Sequence, residues 1–193
     1  MFEKGFLQDV RHNLWECFFI THSLRKDLPM KLTTIIPVHN AEKYITATLD
    51  SVLQQDLGNP EELEVICVDD ASTDASVALI KDYQQKDSRI RLFLNEKTRF
   101  AGACRNKGIE EAHGDYLHFL DADDLVEKGA YQKYLSIAEQ AGADMVKGCA
   151  VCFDNETGEL SDTPLFALSD VPAECFDKVL NFHQAPEFHA TSV

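Results

Sequence analysis

The tetrad Asp121-Ala122-Asp123-Asp124 closes an apolar run, Tyr116-Leu117-His118-Phe119-Leu120, that reads as a strand. Side chains two apart on extended backbone point the same way, so Asp121 and Asp123 can converge on one ligand. Paired carboxylates at a strand exit suit a hard divalent cation, Mg²⁺ or Mn²⁺, which keeps positions open for substrate phosphates. Taken alone, the tetrad fits a solvated acidic turn equally well. A second apolar run ending in acids, Val65-Ile66-Cys67-Val68-Asp69-Asp70, followed by the turn-rich Ala71-Ser72-Thr73-Asp74, tips the balance toward a site.

These acids need elements to bring them together, and the chain supplies alternating ones. Lys31 to Val38 reads as a strand, and Asn40 caps a helix whose Ile45, Leu49, Val52 and Leu53 fall at helical spacing. Leu63 to Val68 is a second strand, with Ser72 or Thr73 capping the helix that carries Val77, Ile80 and Tyr83. Arg89 to Leu94 is a third strand, followed by a helix from Ala103 to Ala112 that Gly114 closes. Tyr116 to Leu120 is the fourth, followed by a helix from Ala130 to Ala141 ended by Gly142, and Asp144 to Phe153 the fifth. The alternation predicts an α/β fold, a Rossmann-like, mostly parallel sheet flanked by helices. Right-handed crossovers then gather Pro37 to Asn40, Asp69 to Asp70, Asn95 to Glu96 and Asp121 to Asp124 at one edge, where open sheets bind nucleotides.

Composition narrows the chemistry. With 193 residues, 45% of them hydrophobic, the chain can bury a real core, and its formal charge of −15 argues against nucleic acid as a partner. No apolar stretch reaches the roughly 18 residues of a membrane span. Leu14 to Ile20 is interrupted by Glu16 and makes a poor signal peptide, so the expectation is a soluble cytoplasmic chain, with peripheral attachment at the inner face of a membrane left open. The six cysteines, including Cys149-x-x-Cys152, read as buried thiols. After the first strand, Pro37-Val38-His39-Asn40-Ala41-Glu42-Lys43-Tyr44 is neither a dinucleotide-binding glycine motif nor a P-loop, so phosphate charge must be met mainly by metal. An EF-hand starting at Asp121 is excluded by Val126 and Gln132 at its glycine and glutamate positions.

Four fragments in order carry a family resemblance: Ile35-Ile36-Pro37-Val38-His39-Asn40, Val68-Asp69-Asp70-Ala71-Ser72-Thr73-Asp74, Cys104-Arg105-Asn106-Lys107-Gly108-Ile109, and Gly114-Asp115-Tyr116 leading into Asp121-Ala122-Asp123-Asp124. From about Lys31 to Phe153 the chain resembles the inverting glycosyltransferases of family 2, which have the GT-A fold. The resemblance implies transfer of a sugar from a nucleotide-diphosphate donor to an acceptor hydroxyl on a glycan or lipid-linked saccharide, in cell-surface polysaccharide or glycolipid synthesis. By the same resemblance Pro37 and His39 border the nucleobase, with Val38 between them in the donor-binding set, and Asp70 hydrogen-bonds the base. Arg105 faces the nucleotide, Asp121 approaches the ribose or metal, and Asp123 is the main ligand to Mg²⁺ or Mn²⁺. Glu42 comes last among the donor contacts, since the dipole of the predicted helix alone favours a carboxylate there.

The general base in that family lies well downstream of the tetrad. No motif near Glu174, Asp177 or Glu187 matches it, so the base is expected beyond Val193 and residues 30–193 read as a GT-A domain lacking its C-terminal acceptor part. Residues 1–29 match nothing and read as an extension of unassigned role. Leu14, Trp15, Phe18 and Phe19 have helical spacing there, and that patch, if exposed, would drive self-association into a homo-oligomer. Two alternatives stand beside the transferase: an inactive nucleotide-sugar-binding remnant, and a phosphatase with its nucleophile in the D-x-D. The phosphatase would begin near its D-x-D, whereas three strand-helix units precede this one.

Overall fold

The computed structural model describes residues 17–20, 31–59, 62–143 and 145–147, all within one compact unit, Leu14–Gly148. Six strands form a single sheet: β1 (Cys17–Ile20), β2 (Leu32–Val38), β3 (Leu63–Asp69), β4 (Ile90–Leu94), β5 (Tyr116–Phe119) and β6 (Met145–Lys147). Their order is β4-β3-β2-β5-β1-β6. The four strands β2 to β5 run parallel, while β1 lies antiparallel between β5 and β6. The described helices are α1 (Ile45–Leu53), α2 (Ser76–Lys86), α3 (Phe100–Glu111) and α4 (Ala130–Ala141).

Strand periodicity assigns the two faces. Leu32, Ile36 and Val38 of β2, with Leu63, Val65 and Cys67 of β3, pack beneath α1, α2 and α4 in the larger core. Their neighbours Ile35, Ile66 and Val68 face the other way and receive α3 through Cys104. Every residue of β3 is buried, as expected for a central strand covered on both faces. The chain steps outward from β2 through β3 to β4 and returns on the opposite side of β2 as β5. Strand order therefore reverses between β2 and β5, and open sheets of this kind bind ligands at the carboxyl ends of such a pair.

The predicted fold class is the one observed, and three local expectations are corrected. The segment Cys17–Ile20, within the stretch expected to be helical, is a strand that pairs Phe19 with Leu117 and covers what would otherwise be the edge of β5; Leu14 and Trp15 lie outside the described residues. Helix α1 begins at Ile45, and Asn40, with φ 51°, does not cap it. Helix α2 begins at Ser76, beyond Ser72 and Thr73. Of the expected fifth strand, Met145–Lys147 is strand, and residues 148–153 lie outside the described residues. Gly142 does end α4 in the left-handed region, at φ 58°.

Candidate functional site

Two loops at the carboxyl edge, 39–44 and 70–76, are latched together by reciprocal hydrogen bonds. Asn40 donates its N–H to Ser72 Oγ at 3.0 Å, and its own Oδ1 accepts from the Thr73 N–H at 2.8 Å. Glu42 donates its N–H to Asp74 Oδ2 at 3.0 Å, while Glu42 Oε2 accepts from the Ala75 N–H at 2.9 Å. Ala41 donates to Ser76 Oγ at 2.8 Å. The residues read as helix caps thus bond across from one loop to the other. Glu42 lies in the turn before α1, where it ties the two loops.

His39 stands exposed on this latch with both ring nitrogens engaged. Its Nδ1 is 2.8 Å from the Asp70 carbonyl and its Nε2 3.2 Å from Asn40 Nδ2. A carbonyl only accepts and the Asn40 amide nitrogen only donates, so one tautomer satisfies both: Nδ1–H donates and Nε2 accepts. The imidazole is thus held as a flat surface by contacts at both ring nitrogens.

Asp70 is buried, and its carboxylate orders the next loop. Oδ1 accepts from Asn95 Nδ2 at 3.0 Å and from the Arg99 N–H at 2.8 Å; Oδ2 accepts from the Phe100 N–H at 2.8 Å. Burial opposes its charge, but Asn95 and the two backbone donors outweigh it and hold the carboxyl below its usual range. Asn95 Nδ2 also reaches Cys104 Sγ at 3.4 Å. Burial, together with the Asp70 charge, pushes that thiol up to about 11, so Cys104, like the buried Cys67, is an inert thiol.

After β5, the tetrad forms a turn instead of the extended segment expected, because the Asp124 N–H closes onto the Asp121 carbonyl at 3.1 Å. Asp121 and Asp123 are both exposed in this turn, while Ala122 between them is buried. Asp124 is half-buried; burial, reinforced by the charges of Asp121 and Asp123, pushes it up to about 6. The turn and the residues after it are pinned by one row of polar side chains on α1 and just past its end, which sequence reasoning missed. Thr48 donates to the Ala122 carbonyl at 2.8 Å, Ser51 Oγ accepts from the Val126 N–H at 3.0 Å, and Gln55 donates to the Glu127 carbonyl at 2.9 Å. Their spacing at i, i+3 and i+7 was the available signal. Arg105, from α3, closes on Asp121 Oδ1 at 2.6 Å.

Of the predicted donor-binding residues, His39, Glu42, Arg105, Asp121 and Asp123 are exposed or partly exposed at this edge, Asp70 lies just beneath it, and Pro37 is half-buried at the end of β2. Val38 is turned into the core and its carbonyl accepts the Asp70 N–H at 2.7 Å, so it presents no side chain to a ligand there. Among the described residues, the non-glycine residues at positive φ are Asn40, Ala71 and Phe100, one after each of β2, β3 and β4. Backbone strain is concentrated at the same edge as the acids. Among the described residues, no group of three or more His, Cys, Asp and Glu side chains is gathered to hold a metal ion.

A parallel sheet whose carboxyl ends carry two acid-rich turns around a switch point, with helices on both faces, defines a nucleotide-sugar-type α/β domain of the GT-A fold. Residues 33–189 match the family described as Glycosyl transferase family 2, and the chain belongs to that family. It is 36% identical over 129 residues to an uncharacterized glycosyltransferase of Haemophilus influenzae, a match covering 67% of this chain and 50% of that protein. It is 34% identical over 120 residues to a poly(ribitol-phosphate) beta-glucosyltransferase of Bacillus spizizenii, covering 62% of this chain and 19% of the relative. Among solved structures, S. aureus TarS 1-349 in complex with UDP superposes with a TM-score of 0.57 at 29% identity, covering 67% of this chain and 38% of that one. The chain spans half or less of the length of these relatives.

Proposed function

We propose that this domain binds a nucleotide-diphosphate sugar through a divalent cation and transfers the sugar to an acceptor hydroxyl. The observation that carries the reading is the pairing, across one switch point, of an exposed carboxylate turn at Asp121 and Asp123 with a fixed, flat rim at His39 and Asp70, in a chain of this family. Asp121 and Asp123 offer hard oxygen donors that fit Mg²⁺ or Mn²⁺, with water and the diphosphate supplying the remaining ligands. When bound, such a cation supplies Lewis-acid neutralisation of the charge that grows on the departing diphosphate.

The chain's own residues do the rest. The His39 ring offers a face for the base, and Asp70, engaged by Asn95, Arg99 and Phe100, holds the next loop beside it. The α1 row holds the carboxylate turn against the pull of a charged ligand, and Arg105 sets the direction of the Asp121 carboxylate. The name of the poly(ribitol-phosphate) beta-glucosyltransferase relative supports an acceptor in cell-surface polysaccharide synthesis. Among the described residues no helix is long and apolar enough to cross a membrane; we place the reaction in the cytoplasm, where it would meet a lipid-linked acceptor at the inner membrane face.

The test is release of nucleoside diphosphate from a panel of nucleotide sugars, with Mn²⁺ or Mg²⁺ and candidate acceptors. Activity that requires metal and disappears in Asp123→Ala supports the transferase. Donor binding with metal but no release with any acceptor would leave a nucleotide-sugar-binding module.

A further inference from the structure

Phe100 is the most exposed of the large apolar side chains among the described residues, at 78%, and its backbone sits at φ +67°. Of the other two residues in this region, Asn40 is a type that visits it and is bonded into the latch, and Ala71 bears the Cβ penalty without any further side-chain bulk. A bulky aromatic has neither, and strain that persists in a solvent-exposed residue points to use of the side chain. The conformation is held from one place. Asp70 accepts the N–H of Phe100 at one carboxylate oxygen and that of Arg99 at the other, both at 2.8 Å. The same residue's backbone carbonyl accepts from His39 Nδ1, also at 2.8 Å. Two exposed rings are therefore tethered to the two ends of Asp70, one by its main chain and one by its carboxylate.

We propose that Phe100 is a specificity-determining residue for the donor, its ring and that of His39 forming the two aromatic surfaces that bracket the nucleobase. This rests on the donor-binding reading above and adds to it the residue that selects for a base over a bare diphosphate. A base has an apolar π-face that an aromatic ring can cover without hydrogen bonding, and base–aromatic stacking of this kind changes affinity on the order of tenfold.

The test compares wild type, Phe100→Gly and Phe100→Tyr for binding of UDP, GDP, CDP and inorganic pyrophosphate in Mn²⁺, by calorimetry, alongside Tm. Glycine relieves the positive φ, so Phe100→Gly is expected to melt no lower than wild type while binding the preferred nucleoside diphosphate about tenfold more weakly. Its pyrophosphate affinity should be unchanged, and Phe100→Tyr should bind as wild type does. A Phe100→Gly protein that binds the nucleotide undiminished, or that loses nucleotide and pyrophosphate alike, overturns the proposal, while binding by wild type still upholds the donor-binding reading. If wild type binds none of the nucleoside diphosphates, the donor-binding reading fails and this inference with it.

Discussion

The hydroxyl of Thr48 donates to the Ala122 carbonyl at 2.8 Å, joining residues 74 apart in sequence at a point between the two exposed acids Asp121 and Asp123. Thr48 is fully buried, so valine in its place leaves that carbonyl without a partner, at a cost of about 1–3 kcal/mol. Thr48→Val is expected to lower the urea midpoint accordingly and to weaken Mn²⁺ binding, because the turn that presents both carboxylates loses its central anchor. Thr48→Ser keeps the donor and should bind Mn²⁺ as wild type does. Equal Mn²⁺ affinity in Thr48→Val and wild type would show that the turn holds its shape without α1.

The acid turns and the order of the elements were legible because each rests on a local pattern: an apolar run of strand length, then carboxylates, then a helix-period segment. The latch between the 39–44 and 70–76 loops was not. Asn40, Ser72 and Thr73 carry the usual signature of helix caps, since short polar side chains near a helix start often cap it. Here their partners lie more than 30 residues away, a relation that leaves no periodic trace. Asp70 was singled out as an acid at a strand exit, but its part in ordering the next loop was not, because its three donors come from a stretch that is irregular in sequence. Residues whose job is to hold another loop look, in sequence, like residues that end their own helix.

Gly114 shows the same ambiguity with a sharper consequence. Sequence pattern made it a helix terminator, yet the cap of α3 is Ala112 and Gly114 has no positive φ. A Cβ placed there would lie 2.6 Å from both the N and the Oγ1 of Thr33 and 2.9 Å from the Tyr116 carbonyl oxygen. Two of these three atoms belong to the backbone of paired strands, which cannot retreat cheaply. Gly114→Ala is expected to destabilise the fold by about 2–4 kcal/mol, read as a drop in the chemical denaturation midpoint. An unchanged midpoint would mean that the loop before β5 can shift away without disturbing its pairing with β2.

Thr33 leads from that glycine to a buried carboxylate at the other end of the sheet from the site. Glu64 accepts from Thr33 Oγ1 at 2.7 Å, Arg91 Nη1 at 2.8 Å and the His113 N–H at 2.9 Å. Burial works to raise its pKa, but these donors together overcome it and hold the carboxyl at about 2, below the ordinary 4.5. A depressed folded-state pKa gives stability that is fully present above the unfolded value and is lost as pH falls toward the folded one. Between pH 6 and pH 3 wild type should lose about 2 kcal/mol that Glu64→Gln, which cannot titrate, does not lose. Parallel denaturation midpoints for the two proteins across that range would assign the acid sensitivity elsewhere.

Arg105 and Asp121 form the one ion pair described at the carboxylate turn, 2.6 Å apart with side chains 35% and 55% exposed. At that exposure the pair contributes at most about 1 kcal/mol to folding, so Arg105→Met should melt close to wild type. Its effect on the turn is larger, because the guanidinium is a fixed positive charge where a cation is proposed to bind. Removing it leaves Asp121 free beside Asp123, and in the absence of nucleotide Mn²⁺ should bind about two- to fivefold more tightly, an advantage that fades as salt screens the site. Weaker Mn²⁺ binding in Arg105→Met would mean that Arg105 serves mainly to aim the Asp121 carboxylate, and that the aim matters more to the cation than the competing charge does.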